Sequence, residues 1–168
     1  MRAFANGRQL RTSSLALRVT LTGFLLFVIA GYASNLAMLA WKTGMTPAGV
    51  AAYYLGDASG MRFPKELHEL IENTHFHVFI VPMVLLVLTH VFFMTPWSER
   101  ARVAVTVLAY GAAALDLAAP WIVWSGGAAF APVKVASSLL YHAALFFLAG
   151  ACLYETWWAP LPAAGGET

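Results

Sequence analysis

Apolar residues in this chain fall in four blocks, 19–41, 74–95, 103–124 and 135–157, each flanked by charged or turn-forming residues. Crossing the hydrocarbon core of a bilayer takes about 20 residues at about 1.5 Å rise apiece, and every block is long enough. Helices of a soluble domain would show short amphipathic runs instead. The pattern predicts an all-α integral membrane protein, a four-transmembrane-helix bundle forming one domain over residues 1–168. The six tryptophans, Trp41, Trp97, Trp121, Trp124, Trp157 and Trp158, all fall near block ends. An amphipathic ring prefers the headgroup layer, so they support the same boundaries.

Residues 43–73 form the one sizeable extramembrane piece. Thr46-Pro47 ahead of residues 48–55 predicts a short helix with Thr46 as cap and Pro47 in its first turn. Gly56 and Gly60 are expected to end it. Pro64 then opens a further helix over 65–73 that runs straight into the second span. Pro82 and Pro120 are expected to kink the second and third spans. The tail over 163–166 is a short low-complexity stretch. Residues 1–33 begin like a signal peptide, but the apolar run is too long and Trp41-Lys42 closes it like a membrane stop. An uncleaved signal anchor is expected.

Composition agrees with this pattern. The chain is 60% hydrophobic and 11% charged, against about 25% charged in a soluble domain. Its single cysteine, Cys152, excludes an intrachain disulfide and a cysteine metal cluster. Charge sets the orientation. Arg2, Arg8, Arg11, Arg18, Arg100 and Arg102 lie on one side, and Lys42, Arg62, Lys65 and Lys134 on the other, six against four. The positive-inside rule then places both termini in the cytoplasm, with the protein in the cell inner membrane. Basic residues are too scattered for a nucleic-acid surface. A nucleotide-binding glycine loop, a nucleophile elbow and a zinc-protease helix are all missing from the sequence.

Ionisable groups inside spans are costly and mark functional candidates. Here they are His75, His77, His90, Asp116, His142 and Glu155, with Asn35 as an uncharged companion. Counting along each span puts Asn35, Asp116 and His142 at one level, about 10–12 Å below the outer surface, and His75 somewhat shallower. On the second span Glu72, His75 and His90 share a stripe with Phe79, Met83 and Leu86, joined by His68. This stripe is expected to face the bundle interior, and the opposite side, Val81, Val84, Leu85, Leu88 and Phe92, to face lipid. His77 falls on that lipid side as an interfacial histidine. Asp116 shares its face with Ala109, Ala112, Ala113 and Ala119, small residues that let helices approach, so it is expected to point inward. In the fourth span Ser138 and His142 stack on one face.

Two imidazoles on facing membrane helices suit axial ligation of a b-type haem, and a hydrogen bond to the second ring nitrogen tunes each one. His75 and His142 are the expected pair. Asp116 or Ser138 would bond a ring nitrogen, and Arg62 or Lys65 would meet the propionates. His90 and His77 are lesser candidates, since the inner half offers His90 no partner. The layout, with fourteen residues between His75 and His90, resembles that of four-helix membrane b-type cytochrome subunits. That resemblance implies electron transfer between quinols and membrane or periplasmic redox partners. The block from Thr43-Gly44-Met45-Thr46-Pro47 through Tyr53-Tyr54, with Thr74-His75-Phe76-His77, also resembles small bacterial membrane proteins. Two alternatives remain at this point. One is a metal site: Glu72-x-x-His75 has the spacing of di-iron bundles, to which Glu69, Asp116, His68 and His142 could add ligands, but the second such pair is missing, which leaves a single transition-metal ion on His75, Asp116 and His142. The other is a non-catalytic accessory subunit whose histidines bridge helices or mark an interface with other membrane subunits.

Overall fold

A computed structural model describes residues 10–59 and 61–160. Arg2, Arg8, Gly60 and the 163–166 tail lie outside the described residues. Four helices carry the length and hydropathy to cross a membrane. They are α1 (Leu15–Thr43), α3 (Leu67–Phe92), α4 (Glu99–Gly126) and α5 (Ala131–Trp157), and α2 (Pro47–Leu55) lies between the first two. No strand occurs among the described residues. α1, α4 and α5 overshoot the starts of their apolar blocks by four residues and α3 by seven, while α3 ends three residues short, at Phe92. Capping explains the overshoot, because Ser14 and Ser98 accept from backbone amides of the first turns of α1 and α4.

The segment after α1 folds as its residues require. Gly44 caps α1 at φ 61°, a left-handed conformation that favours glycine. Thr46 then caps α2 by accepting from the Gly49 amide, with Pro47 in the first turn. Gly49 is there for space: a Cβ at that position would lie 1.8 Å from the Thr43 carbonyl oxygen. Past Gly56 the chain does not restart at Pro64. The helix opens at Leu67 behind a capping box between Glu66 and Glu69, and continues unbroken into the second span. Both α3 and α4 continue through their prolines, Pro82 and Pro120.

α5 is the hub, packed against each of the other four helices, whereas α1 rests mainly on α5 and α2. The core joins Leu25 and Val28 of α1, Val81, Leu85, Leu88 and Phe92 of α3, Ala109, Ala112 and Ala113 of α4, and Leu145, Leu148 and Cys152 of α5. Lipid tails are as apolar as leucine, so close packing and hydrogen bonds, rather than water exclusion, hold such helices together. The alanine face of α4 lies buried as expected, and small residues there let α5 approach.

Tryptophans do more than sit in the headgroup layer. Trp121 donates to the Thr74 hydroxyl at 2.8 Å and ties α4 to α3. Trp124 donates to the Lys65 carbonyl at 2.9 Å. At the other end Trp157 donates to the Thr22 hydroxyl at 2.8 Å, and the Arg18 guanidinium lies 4.0 Å over its ring. Trp97 packs against Phe92 at a tilt and edge-on against Phe147. Indole N–H groups thus pin helix ends to their neighbours at both faces of the bundle.

One expectation is reversed. Val81, Leu85, Leu88 and Phe92 of α3 are buried, and Val84 is partly so. Glu72, His75, Phe79, Met83, Leu86 and His90 are exposed. The polar stripe of α3 faces out and its aliphatic stripe faces in. The physical reason is packing: α3 meets α4 and α5 through aliphatic surfaces, and Asp116 and Lys134 already match each other between those two helices.

Candidate functional site

The polar interior is built by the α4–α5 hairpin. Gly126 and Gly127 and the short turn Ala128–Phe130 reverse the chain, so the first turns of α5 lie beside the last turns of α4. Within α5, Lys134, Ser137, Ser138, Tyr141 and His142 recur at helical spacing and are all buried. Opposite them stands Asp116. Its Oδ1 accepts from the Lys134 ammonium at 2.8 Å, the Ser137 hydroxyl at 3.1 Å and the Ser138 hydroxyl at 2.5 Å. Lys134 also reaches the Asp116 carbonyl at 3.3 Å. The two charged side chains are only 10% and 14% exposed. A charge pair withdrawn this far is stable only when donors and acceptors are matched around it, and here they are.

One turn deeper lies His142, 3% exposed. Its Nδ1 bonds the Ser138 carbonyl at 2.7 Å, the residue one turn earlier on the same helix. Its Nε2 is buried with no hydrogen-bond partner. Tyr141 and Tyr32 meet the imidazole edge-on, with centroids 5.5 and 6.0 Å away. The Tyr141 hydroxyl donates to the Tyr32 hydroxyl at 2.9 Å and so links α5 to α1.

The expected site residues therefore separate into three groups. Asp116, Ser138 and His142 come together, although the partner of Asp116 is Lys134 and the serines rather than His142. Ser138 serves His142 through its carbonyl, and its hydroxyl goes to Asp116. His75 stands apart on the outward side of α3, where its ring touches Phe79. His90 is exposed too, bonded through Nδ1 to the Leu86 carbonyl, and His77 bonds the Asn73 carbonyl at the span's mouth. Arg62 lies at the surface and donates to the Lys42 carbonyl at 3.1 Å. Asn35 is exposed on α1.

The paired imidazoles of His75 and His142 are thus not brought to face one another within one chain. His75 lies on the exposed side of α3, whereas the side that α3 turns inward joins α5 in one core through Leu85, Leu88, Leu145 and Leu148. Among the described residues no three histidine, cysteine or acidic side chains converge as metal ligands would.

Lys134, which the charge count places among the flanking cations, is instead buried in the first turns of α5. Its spacing of four to Ser138 and eight to His142 puts all three on one helical face, and that periodicity was available. Tyr32 and Tyr141 carried no comparable signal, because aromatic residues recur throughout the spans.

A family model described as a transmembrane helical domain matches residues 44–162. The match takes in α2 through α5 and begins at the glycine that caps α1. Neither the curated proteins nor the solved structures gave a match.

Proposed function

The chain belongs to the Aq_1264_TM family, a transmembrane helical domain, and from that premise we propose that it serves as a non-catalytic accessory subunit of a membrane complex. One observation carries the reading: His75 and His90, the ionisable groups of the α3 stripe that lie within the span, are exposed, with Glu72 exposed just ahead of it. Ionisable side chains within spans characteristically face protein rather than lipid. A neighbouring membrane subunit laid along α3 would cover these groups together with Phe79 and Met83. The interior favours a supporting role as well, since its buried charge is spent on joining α4 to α5. Cell inner membrane residence with both termini cytoplasmic belongs to this proposal. Gentle extraction and size fractionation test the reading. A colourless protein that travels in fixed stoichiometry with a second polypeptide is expected, and a chain that travels alone would overturn it.

A haem-binding electron-transfer subunit, with quinone or other redox partners, is the second reading, and His142 favours it. An imidazole whose Nδ1 is held by a carbonyl offers Nε2 to iron in a fixed orientation, and that nitrogen is buried and free here. The fit is incomplete. A second imidazole within the chain would have to come from His75, which faces outward on α3. A single metal ion fits less well, because Asp116 already receives three donors. A reducible Soret band lost in His142→Ala would establish the haem reading over the accessory one.

A further inference from the structure

At the junction of α1, α2 and the segment leading into α3 lies an open cleft of about 450 Å³, lined by Trp41, Lys42, Tyr53, Arg62, Phe63 and Lys65. Three cations converge on it. The Lys42 and Lys65 ammonium groups lie 5.7 and 5.3 Å from the centroid of the same Tyr53 ring. The Arg62 guanidinium is tied to the Lys42 carbonyl. Only Lys65 has an acidic partner, Glu69; Lys42 and Arg62 form no ion pair among the described residues. Glu69 also holds the Lys65 ammonium above the ordinary lysine range, so that cation stays charged.

Like charges held around one ring repel one another, and the fold imposes that arrangement through backbone ties. An anion between them would relieve it. The walls add a second requirement. Trp41 is 87% exposed and Phe63 82% exposed, and they flank the cations at the end of a membrane span. Water is a poor environment for such surfaces, and the headgroup and upper acyl region of a bilayer is a good one. The occupant that satisfies both features has an anionic head and an apolar body.

We propose that this cleft binds the phosphate of an anionic phospholipid, with Lys42 and Arg62 contacting the headgroup and Trp41 and Phe63 flanking its acyl chains. Glu69 stays with Lys65, and the Asp57 carboxylate is engaged by the Ser59 hydroxyl and by backbone amides that include that of Arg62, so among the described residues neither acid pairs with the Lys42 or Arg62 side chain. The site is separate from the Asp116–Lys134 pair and independent of the accessory role proposed above.

The full chain in nanodiscs of mixed phosphatidylglycerol and phosphatidylcholine, released into detergent and weighed by native mass spectrometry, provides the test. One phosphatidylglycerol retained per chain, preferred at least tenfold over phosphatidylcholine, is the expected result. The double variant Lys42→Gln/Arg62→Gln should lose that preference, and Lys42→Arg/Arg62→Lys should keep it. Inorganic phosphate added at millimolar concentration should displace the lipid poorly, and Trp41→Ser/Phe63→Ser should weaken retention severalfold. Equal retention of the two lipids, or a preference unchanged in Lys42→Gln/Arg62→Gln with helical content intact, would overturn the proposal. Ready displacement by inorganic phosphate, with Trp41→Ser/Phe63→Ser unchanged, would reassign the cleft to free phosphate and overturn the lipid assignment.

Discussion

Replacing Asp116 by alanine asks whether the buried pair holds the α4–α5 hairpin. Three donors converge on its Oδ1, one of them the Lys134 ammonium at 2.8 Å. Hydrogen bonds between membrane helices average only about 0.6 kcal/mol, so the two serine hydroxyls together account for roughly 1 kcal/mol. The charge is the larger part. Removing one member of a buried ion pair costs about 3–5 kcal/mol, because the other is left uncompensated. The side chains keep slight access to solvent, 10% and 14%, which places Asp116→Ala near the lower end, about 3 kcal/mol. Asp116→Asn keeps an acceptor for the serines and should cost less than the alanine. Asp116→Ala/Lys134→Met should recover most of the loss, since apolar replacement of a whole buried pair is often neutral. Reversible unfolding in mixed micelles, followed by tryptophan fluorescence, reads these differences. An Asp116→Ala protein within about 0.5 kcal/mol of the parent, the range of an ordinary surface substitution, would refute the reasoning.

Two glycines supply a matched contrast in the same assay. Gly49→Ala places a methyl 1.8 Å from the Thr43 carbonyl, which only backbone movement relieves, and should cost about 1–3 kcal/mol. Gly111→Ala meets nothing within 4 Å and should be neutral or stabilising by up to about 1 kcal/mol; equal losses at both would contradict the close approach of α2 to α1. His142→Leu removes a buried nitrogen that has no partner, a group whose burial costs about 1–3 kcal/mol. Unfolding should show unchanged or raised stability, and a marked loss would mean that Nε2 makes a favourable contact in the folded protein.

Hydropathy alone located all four spans, because burial in lipid demands continuous apolar sequence whatever the packing. Thr46, Pro47 and Gly56 gave α2 its limits through local chemistry that owes nothing to the tertiary fold. The rotation of α3 was not legible. Its polar stripe and its aliphatic stripe are each coherent, and in a membrane either one is compatible with an interior. The decision came from α4 and α5, whose Asp116 and Lys134 satisfy each other and leave the bundle no use for the α3 histidines. The inward turn of Asp116 was legible from the alanines on its face. Its partner was legible only in part: Lys134 keeps helical spacing to Ser138 and His142, but a lysine just ahead of the apolar block at 135 reads as the end of a loop until the helix is seen to begin at Ala131.

Site-specific photo-cross-linking in the source membrane tests the outward α3 face most directly. Photoreactive residues would be placed at Phe79 and Met83, which are 61% and 65% exposed between His75 and His90. The accessory role requires one discrete adduct with a different polypeptide from both positions, and none of the same size from Phe27 on α1. Lipid adducts alone, the same from α3 as from Phe27, would contradict it.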